Sequence, residues 1–178
     1  FVPVTSQTRI PILTGGNIDL ECGSTTNSVE RQKQVSFAPT YFVTGTRIVV
    51  KKSSGIKGYD DLKGKTVVFT QGTTNERAMK AYNDAKNLGI NFIPSKDHAE
   101  SFLSVETGRA VAFPMDDILL YSLVASARSS DEHGLALVAV TDAWMSGRSA
   151  YYVEMIAQAG LVAIHTAGTS PLVAPFGG

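Results

Sequence analysis

The chain has 178 residues, of which 43% are hydrophobic and 18% are charged, so it can bury a core, and one or two small domains are expected. Its 16 Lys and Arg residues balance its 16 Asp and Glu residues without a long basic run, which makes nucleic acid and anionic membranes poor candidate partners. The single Cys22 excludes a disulfide within this sequence, and no apolar run approaches the ~20 residues of a membrane-spanning helix.

Strand and helix signals alternate along the chain, which favours an α/β fold with a mainly parallel sheet. In the first 64 residues the pattern predicts strands at 1–5, 19–22 and 42–50, helices at 9–13 and 27–34, and one helical turn at 59–62. Further along it predicts strands at 66–70, 91–94 and 110–115 and helices at 75–87, 98–107 and 118–127. The tail adds a strand at 135–140, a helix at 149–159 and a strand at 161–165.

Four polar clusters follow predicted strands, and ligands of open α/β sheets bind beyond the carboxyl ends of strands. The clusters are Ser6 with Arg9; Ser24 and Thr26 with Arg31; Gly72, Thr73 and Thr74; and Asp116. The first two offer guanidinium and hydroxyl donors for carboxylates, and the third offers a turn before a helix that suits an anion. Asp116 suits an ammonium group. The combination predicts a site for an acidic amino acid, with His98 either donating to the side-chain carboxylate or capping its helix.

Each of these residues taken alone also has a purely structural interpretation. Arg9 and Arg31 are typical of surface arginines that cover apolar neighbours, and hydroxyl residues such as Ser24 and Thr26 commonly cap helices. The turn at 71–74 is compatible with an ordinary strand–helix connection, and Asp116 or its neighbour Asp117 could cap the following helix. The binding hypothesis therefore depends on the set and not on one member.

Long motifs extend over residues 1–126. They are SQTRIP at 6–11, ECGSTTN at 21–27, VERQKQ at 29–34, DLKGK at 61–65, QGTT at 71–74, KDH at 96–98, GRAVAF at 108–113 and MDD at 115–117. In these motifs the chain resembles the glutamate/aspartate-binding proteins of bacterial ABC importers, within the family 3 periplasmic solute-binding proteins.

The resemblance implies α/β lobes of the type II periplasmic-binding-protein kind, which close around a ligand at a hinge without a chemical step or a cofactor. Residues 1–50 would be a partial first lobe and residues 51–126 the second lobe, with a hinge crossing at 47–52. Ser6, Arg9, Ser24, Thr26 and Arg31 would hold the ligand carboxylates from the first lobe, and Thr74, His98 and Asp116 would act from the second, with Asp116 at the ammonium.

The resemblance further implies an ABC permease as partner and the periplasm as location, although no signal peptide is recognisable in this sequence. About half of the first lobe, including an arginine expected near its start, is missing relative to the family. We therefore expect a chain cut from something longer, whose ligand binding is weakened by truncation.

Residues 127–178 instead resemble an internal piece of the type 2 malate/lactate dehydrogenases, through the motif TSPLVAPFGG at 169–178. That family would place this motif near an NAD(P) cofactor. The stretch Trp144-Met145-Ser146 lacks the histidine that the family carries just before Gly147. We expect a grafted strand–helix–strand tail. Two alternatives remain, an NAD(P)-binding fragment or a folded chimera without ligand, and a homo-oligomer is a further way to cover exposed sheet.

Overall fold

The computed structural model of the protein describes residues 1–40 and 42–127. The predicted tail elements at 135–140, 149–159 and 161–165 lie outside the described residues, and so does the dehydrogenase-like motif at 169–178. In the described ranges, no helix is both long and apolar enough to cross a membrane.

The described chain forms five helices and four strands. They are α1 (Arg9–Thr14), α2 (Val29–Gln32), β1 (Thr46–Val50), β2 (Thr66–Thr70), α3 (Thr74–Lys86), β3 (Asn91–Ser95), α4 (His98–Glu106), β4 (Ala112–Asp116) and α5 (Asp117–Ala125), with short 3-10 turns at Lys52–Ser54 and Tyr59–Leu62. From β2 onward, strands and helices alternate strictly, as the sequence pattern predicts.

The four strands form one mixed sheet in the order β1-β4-β2-β3. Strand β2 runs parallel to β3, with Thr66 opposite Asn91, and parallel to β4, with Val67 opposite Ala112. Only β1 is antiparallel, and it pairs with β4. The prediction of an α/β fold with a mainly parallel sheet is therefore confirmed.

Helices cover both faces of this sheet. On one face α4 and α5 pack against the sheet in a cluster that includes Val49, Phe102, Phe113 and Leu120. On the other face α3 contributes Met79 to a cluster whose other members include Ile48, Val50, Leu62 and Val67. Neighbouring residues of β1 enter opposite clusters, because successive side chains of a strand point to opposite faces.

The helices after β2 and β3 begin at side-chain caps. The Thr73 hydroxyl accepts a hydrogen bond from the Glu76 N–H at 3.1 Å, and the Asp97 carboxylate accepts one from the Glu100 N–H at 2.8 Å. Such caps satisfy amide groups that a helix start leaves unpaired. Because these signals are local, the sequence places α3 and α4 within one residue of their observed starts.

The helix predicted at 9–13 is confirmed by α1, but the strand predictions for the first 45 residues are wrong. Residues 1–5 and 19–22 form no strand in the described chain, and the strand predicted at 42–50 begins only at Thr46. The helix predicted at 27–34 shortens to Val29–Gln32. A strand needs a neighbouring strand to take its hydrogen bonds, and no strand of the described residues runs beside these two segments. Most of their large apolar side chains also stay exposed, namely Phe1, Val2 and Leu20, the last by 77%.

We predict that Leu120→Ala lowers the free energy of unfolding by about 2–5 kcal/mol, since it empties a fully buried leucine site. The matched control is Leu103→Ala on α4, whose side chain is 54% exposed, and it should change stability by less than about 1 kcal/mol. Urea unfolding monitored by circular dichroism measures both. Equal losses in the two variants would contradict the assignment of the core.

Candidate functional site

A cleft of about 550 Å³ lies between residues 9–44 and the junction of β4 with α5. Four of the predicted site residues line it: Arg9, Ser24, Thr26 and Asp116. Its volume is within the range of ~300–1,000 Å³ that small-molecule sites usually have. The remaining wall is mostly apolar, with Ile10, Leu13, Leu20, Val35, Phe37, Phe42, Val43, Ile118 and Leu119.

Arg9 is a buried cation in this cleft. It is the first residue of α1 and only 6% exposed, and its Nε has no hydrogen-bond partner in the described part of the chain. Burial lowers the pKa of Arg9, whereas the charges of Glu21 and Asp116 raise it. A guanidinium lacks an acceptor of its own and needs oxygen acceptors when it is buried. The position therefore suits an anionic ligand group.

Asp116 is the buried anion of the same cleft. It ends β4 and is 9% exposed, and its Oδ1 accepts a hydrogen bond from Asn75 Nδ2 at 2.9 Å. Burial raises the pKa of Asp116, while the Asn75 hydrogen bond lowers it and neighbouring Asp117 raises it. A cation beside Asp116 would offset the cost of burying its charge.

Asp116 does not cap helix α5, which was the structural interpretation of this residue. Its side chain makes no cap hydrogen bond to α5 within the described residues. Asp117 has that local role instead, since its Oδ1 accepts from the Ile118 N–H and from the Thr44 hydroxyl, both at 2.7 Å. Asp116 is thereby left to face the cleft.

Arg31 lies beside the cleft and is not among its described lining residues. It is 4% exposed, and it donates from Nη1 to the Thr26 carbonyl at 3.1 Å and from Nη2 to the Gly72 carbonyl at 3.0 Å. Burial lowers the pKa of Arg31 most, followed by the nearby charge of Arg9. Arg31 therefore connects the loop before α2 to the turn after β2.

Three further predicted residues, Ser6, Thr74 and His98, also lie outside the described lining of the cleft. The Thr74 hydroxyl is 3.2 Å from that of Thr26, and His98 Nδ1 is 3.0 Å from the Thr70 hydroxyl. Ser6 belongs to the segment that packs against the turn at Gly72. The structure thus gathers all eight predicted residues into one region, four on the cleft wall and four next to it.

The turn at Gly72 meets the first segment of the chain closely. A Cβ added to Gly72 would lie 2.7 Å from the Gln7 Cα and 2.8 Å from the Ser6 carbonyl oxygen, and its φ is +78°. Only glycine fits both the backbone conformation and the space. This contact and the hydrogen bond from Arg31 to the Gly72 carbonyl hold the first 32 residues against the sheet.

Two residues of the site, Asn75 and Glu21, were not predicted from the sequence. Asn75, only 2% exposed, orients Asp116 and also donates to the Thr46 hydroxyl at 2.8 Å. Glu21 lines the cleft close to Arg9. In the sequence, Asn75 is an ordinary residue in the first turn of a helix and Glu21 precedes a polar loop. We found no local signal that distinguishes either one, because their partners are distant in the chain.

Metal binding finds no support in the described geometry. Within residues 1–40 and 42–127, no group of three or more His, Cys, Asp or Glu side chains is arranged to hold a metal ion.

The model of the bacterial extracellular solute-binding proteins, family 3, matches residues 1–167. The L-glutamate/L-aspartate-binding protein of Pseudomonas aeruginosa is 58% identical over 129 residues, which cover 72% of this chain and 43% of that protein. The glutamate/aspartate import solute-binding protein of Salmonella typhimurium is 52% identical over 131 residues, which cover 74% of this chain and 43% of that protein. The solved structure of an ancestral arginine-binding protein bound to arginine superposes on this chain with a TM-score of 0.71 and 30% identity. The superposition covers 89% of this chain and 71% of that protein's chain.

The chain spans less than half the length of the curated relatives it matches. The family match continues beyond residue 126, where the resemblance to that family was expected to end. The dehydrogenase-like resemblance of the tail stays a prediction.

We predict that Gly72→Ala destabilises the protein more than Gly64→Ala. Both glycines have a positive φ, so either alanine costs about 1–2 kcal/mol of backbone strain. A Cβ at Gly64 meets nothing within 4 Å in the described chain, whereas one at Gly72 collides with backbone, which should add about 1–3 kcal/mol. Denaturant unfolding of both variants measures the difference. Equal destabilisation would mean that the close contact with Gln7 is absent in solution.

We predict that His98 titrates below its ordinary pKa of 6.5, chiefly because burial disfavours the imidazolium and secondarily because Arg9 is near. The folded state then favours neutral His98, so its contribution to stability is present above pH 6.5 and is lost as the pH falls through the folded pKa. Histidine NMR signals, assigned with His98→Gln, measure this pKa.

Arg9→Met should raise the pKa of His98, and Arg109→Met, at an exposed arginine, should leave it unchanged. A His98 pKa at or above 6.5 in the unsubstituted protein would refute the burial of this ring, and a pKa that stays the same in Arg9→Met would refute its placement near Arg9.

Proposed function

Because the chain belongs to family 3 of the bacterial extracellular solute-binding proteins, we propose that it captures glutamate or aspartate as the binding component of an ABC importer. The observation that supports this most is the pair of buried opposite charges, Arg9 and Asp116, on the wall of one cleft. The relatives with 58% and 52% identity carry glutamate and aspartate in their names, which favours an acidic amino acid as ligand.

The fold of the family fits the described sheet. The family match and the similar solved structures show a type II periplasmic-binding-protein fold, of which this chain covers a part. Within the proposal, residues 1–50 supply a partial first lobe, residues 51–126 the second lobe, and β1 the crossing between them. Strand β1 already pairs with β4, so the crossing would end inside the sheet of the second lobe.

We assign opposite ends of the ligand to the two buried charges. A ligand carboxylate would pair with the guanidinium of Arg9, whose Nε has no partner among the described residues, with the hydroxyls of Ser24 and Thr26 as further donors. The ligand ammonium would lie at Asp116, whose carboxylate Asn75 already orients. Burying two charges is costly until each one is paired, so a zwitterion with an extra carboxylate gains more here than a neutral ligand does.

The other four residues are proposed to act where the two lobes meet. Arg31 binds the Gly72 carbonyl, and Thr26 lies 3.2 Å from Thr74, so both contacts join the first lobe to the second. In a two-lobed binding protein, closure of the lobes at a hinge buries the ligand between them. Ser6 and His98 border the same junction, and we keep them in the proposed ligand set as residues that would reach the ligand on closure.

The proposed activity is binding without a chemical step, since the relatives are solute-binding proteins. The proposed partner is the permease of an ABC importer, and the proposed location is the periplasm. Because the match covers 43% of the relative, a reduced ligand affinity stays part of the proposal. A homo-oligomer stays part of it as well.

We predict that the protein binds L-glutamate and L-aspartate, and that Arg9→Met and Asp116→Asn each weaken binding at least tenfold. Each variant removes one charged ligand contact, and a loss of ~1.4 kcal/mol corresponds to a factor of ten. Isothermal titration calorimetry measures the dissociation constants. Methionine retains the apolar stem of Arg9, so the loss reports on charge more than on packing.

The control is Arg109→Met, which removes an exposed arginine remote from the cleft lining and should leave affinity within twofold. Binding that survives Arg9→Met unchanged would exclude the proposed carboxylate site. Absence of any heat with either amino acid in the unsubstituted protein would refute the function for this chain.

A further inference from the structure

Building on the proposed amino-acid binding, we infer that Glu21 is a specificity-determining residue that limits the preference of the cleft for acidic over neutral amino acids. It does so by partly balancing the charges of Arg9 and Arg31.

Glu21 is held in place by its own loop. Its Oε2 accepts a hydrogen bond from the Thr25 hydroxyl at 2.8 Å, and it lines the same cleft as Arg9. A Cβ at Gly23 would meet its Oε1, so the glycine leaves space for the carboxylate in this position. The hydrogen bond from Thr25 thus holds the negative charge beside the hydroxyl residues Ser24 and Thr26.

Glu21 acts on both buried arginines. Its charge raises the pKa of Arg9 and also that of Arg31, whereas the charge of Arg9 lowers the pKa of Arg31. The two guanidinium groups thus repel each other, and the carboxylate of Glu21 offsets part of that repulsion. At Arg31 its effect is smaller than those of Arg9 and Glu30.

This arrangement sets the charge that an incoming ligand meets. The buried charges in and beside the cleft, Arg9, Arg31 and Asp116, together carry one net positive charge, which complements the net negative charge of glutamate. The half-buried Glu21 reduces this sum to zero, which weakens the advantage of glutamate over a neutral zwitterion such as glutamine. Asp19 also lines the cleft, but it is exposed, so solvent screens its charge. Removing the charge of Glu21 should therefore favour glutamate over glutamine.

The test is Glu21→Gln, because the new amide oxygen can still accept the Thr25 hydroxyl while the charge is lost. Calorimetric dissociation constants for L-glutamine and L-glutamate are compared at low salt. We expect the ratio of the glutamine constant to the glutamate constant to rise about 3- to 10-fold over that of the unsubstituted protein. The rise should shrink in 0.5 M sodium chloride, where the Debye length falls to roughly 4 Å.

Two control variants separate charge from loop structure. Asp19 lines the same cleft and is exposed, and it does not figure among the described charges that shift the pKa of either arginine. Asp19→Asn should keep the ratio within twofold. Thr25→Val removes the hydrogen bond and keeps the charge of Glu21, so any weakening should affect both ligands alike. An unchanged ratio in Glu21→Gln, or an equal rise in Asp19→Asn, would overturn the inference.

A protein that binds neither amino acid would refute the proposed function, and the role of Glu21 is then decided by thermal unfolding. Glu21→Gln should lower Tm by about 2–4 °C relative to Asp19→Asn, because two buried arginines lose their balancing charge. Added salt should recover that difference by screening their repulsion. Equal Tm values for the two variants at low salt would show that Glu21 does not balance the arginines.

Discussion

The arrangement of the cleft depends on Arg31, which binds two backbone carbonyls that are far apart in the sequence. One carbonyl belongs to Thr26, in the loop before α2, and the other to Gly72, in the turn after β2. At that turn the chain approaches so closely that only glycine is accommodated. Because these contacts hold the first 32 residues against the sheet, Arg9 comes to share a cleft with Asp116.

The cleft and the residues next to it combine charges that the fold would otherwise avoid burying. Burial opposes the charged forms of Arg9, Arg31, His98 and Asp116, and it is the largest cause of the pKa shift in each of them. Such groups destabilise the folded state unless opposite charges or hydrogen bonds compensate them. Perturbed titratable groups gathered in a cleft are typical of functional sites. The cleft therefore has features that are typical of a binding site, and they come at a cost in stability.

The sheet explains why residues distant in sequence meet here. Strands β2, β3 and β4 run parallel, so their carboxyl ends lie at one edge. The turn with Gly72 follows β2, His98 begins the helix after β3, and Asp116 ends β4. An open α/β sheet places its ligand beyond that edge. The segment before β1 then only has to bring Arg9 and its hydroxyl neighbours to the same place.

The sequence by itself determined the strand–helix order from Thr66 to Ala125, because alternating apolar patterns and the caps Thr73 and Asp97 are local signals. It also identified the polar clusters, since guanidinium, hydroxyl and carboxylate chemistry is visible residue by residue. Only the tertiary structure decided that the segments at 1–5 and 19–22 are not strands, because pairing depends on a neighbour. It likewise assigned the part played by Asn75 in orienting Asp116, a contact 41 residues apart that no local pattern contains.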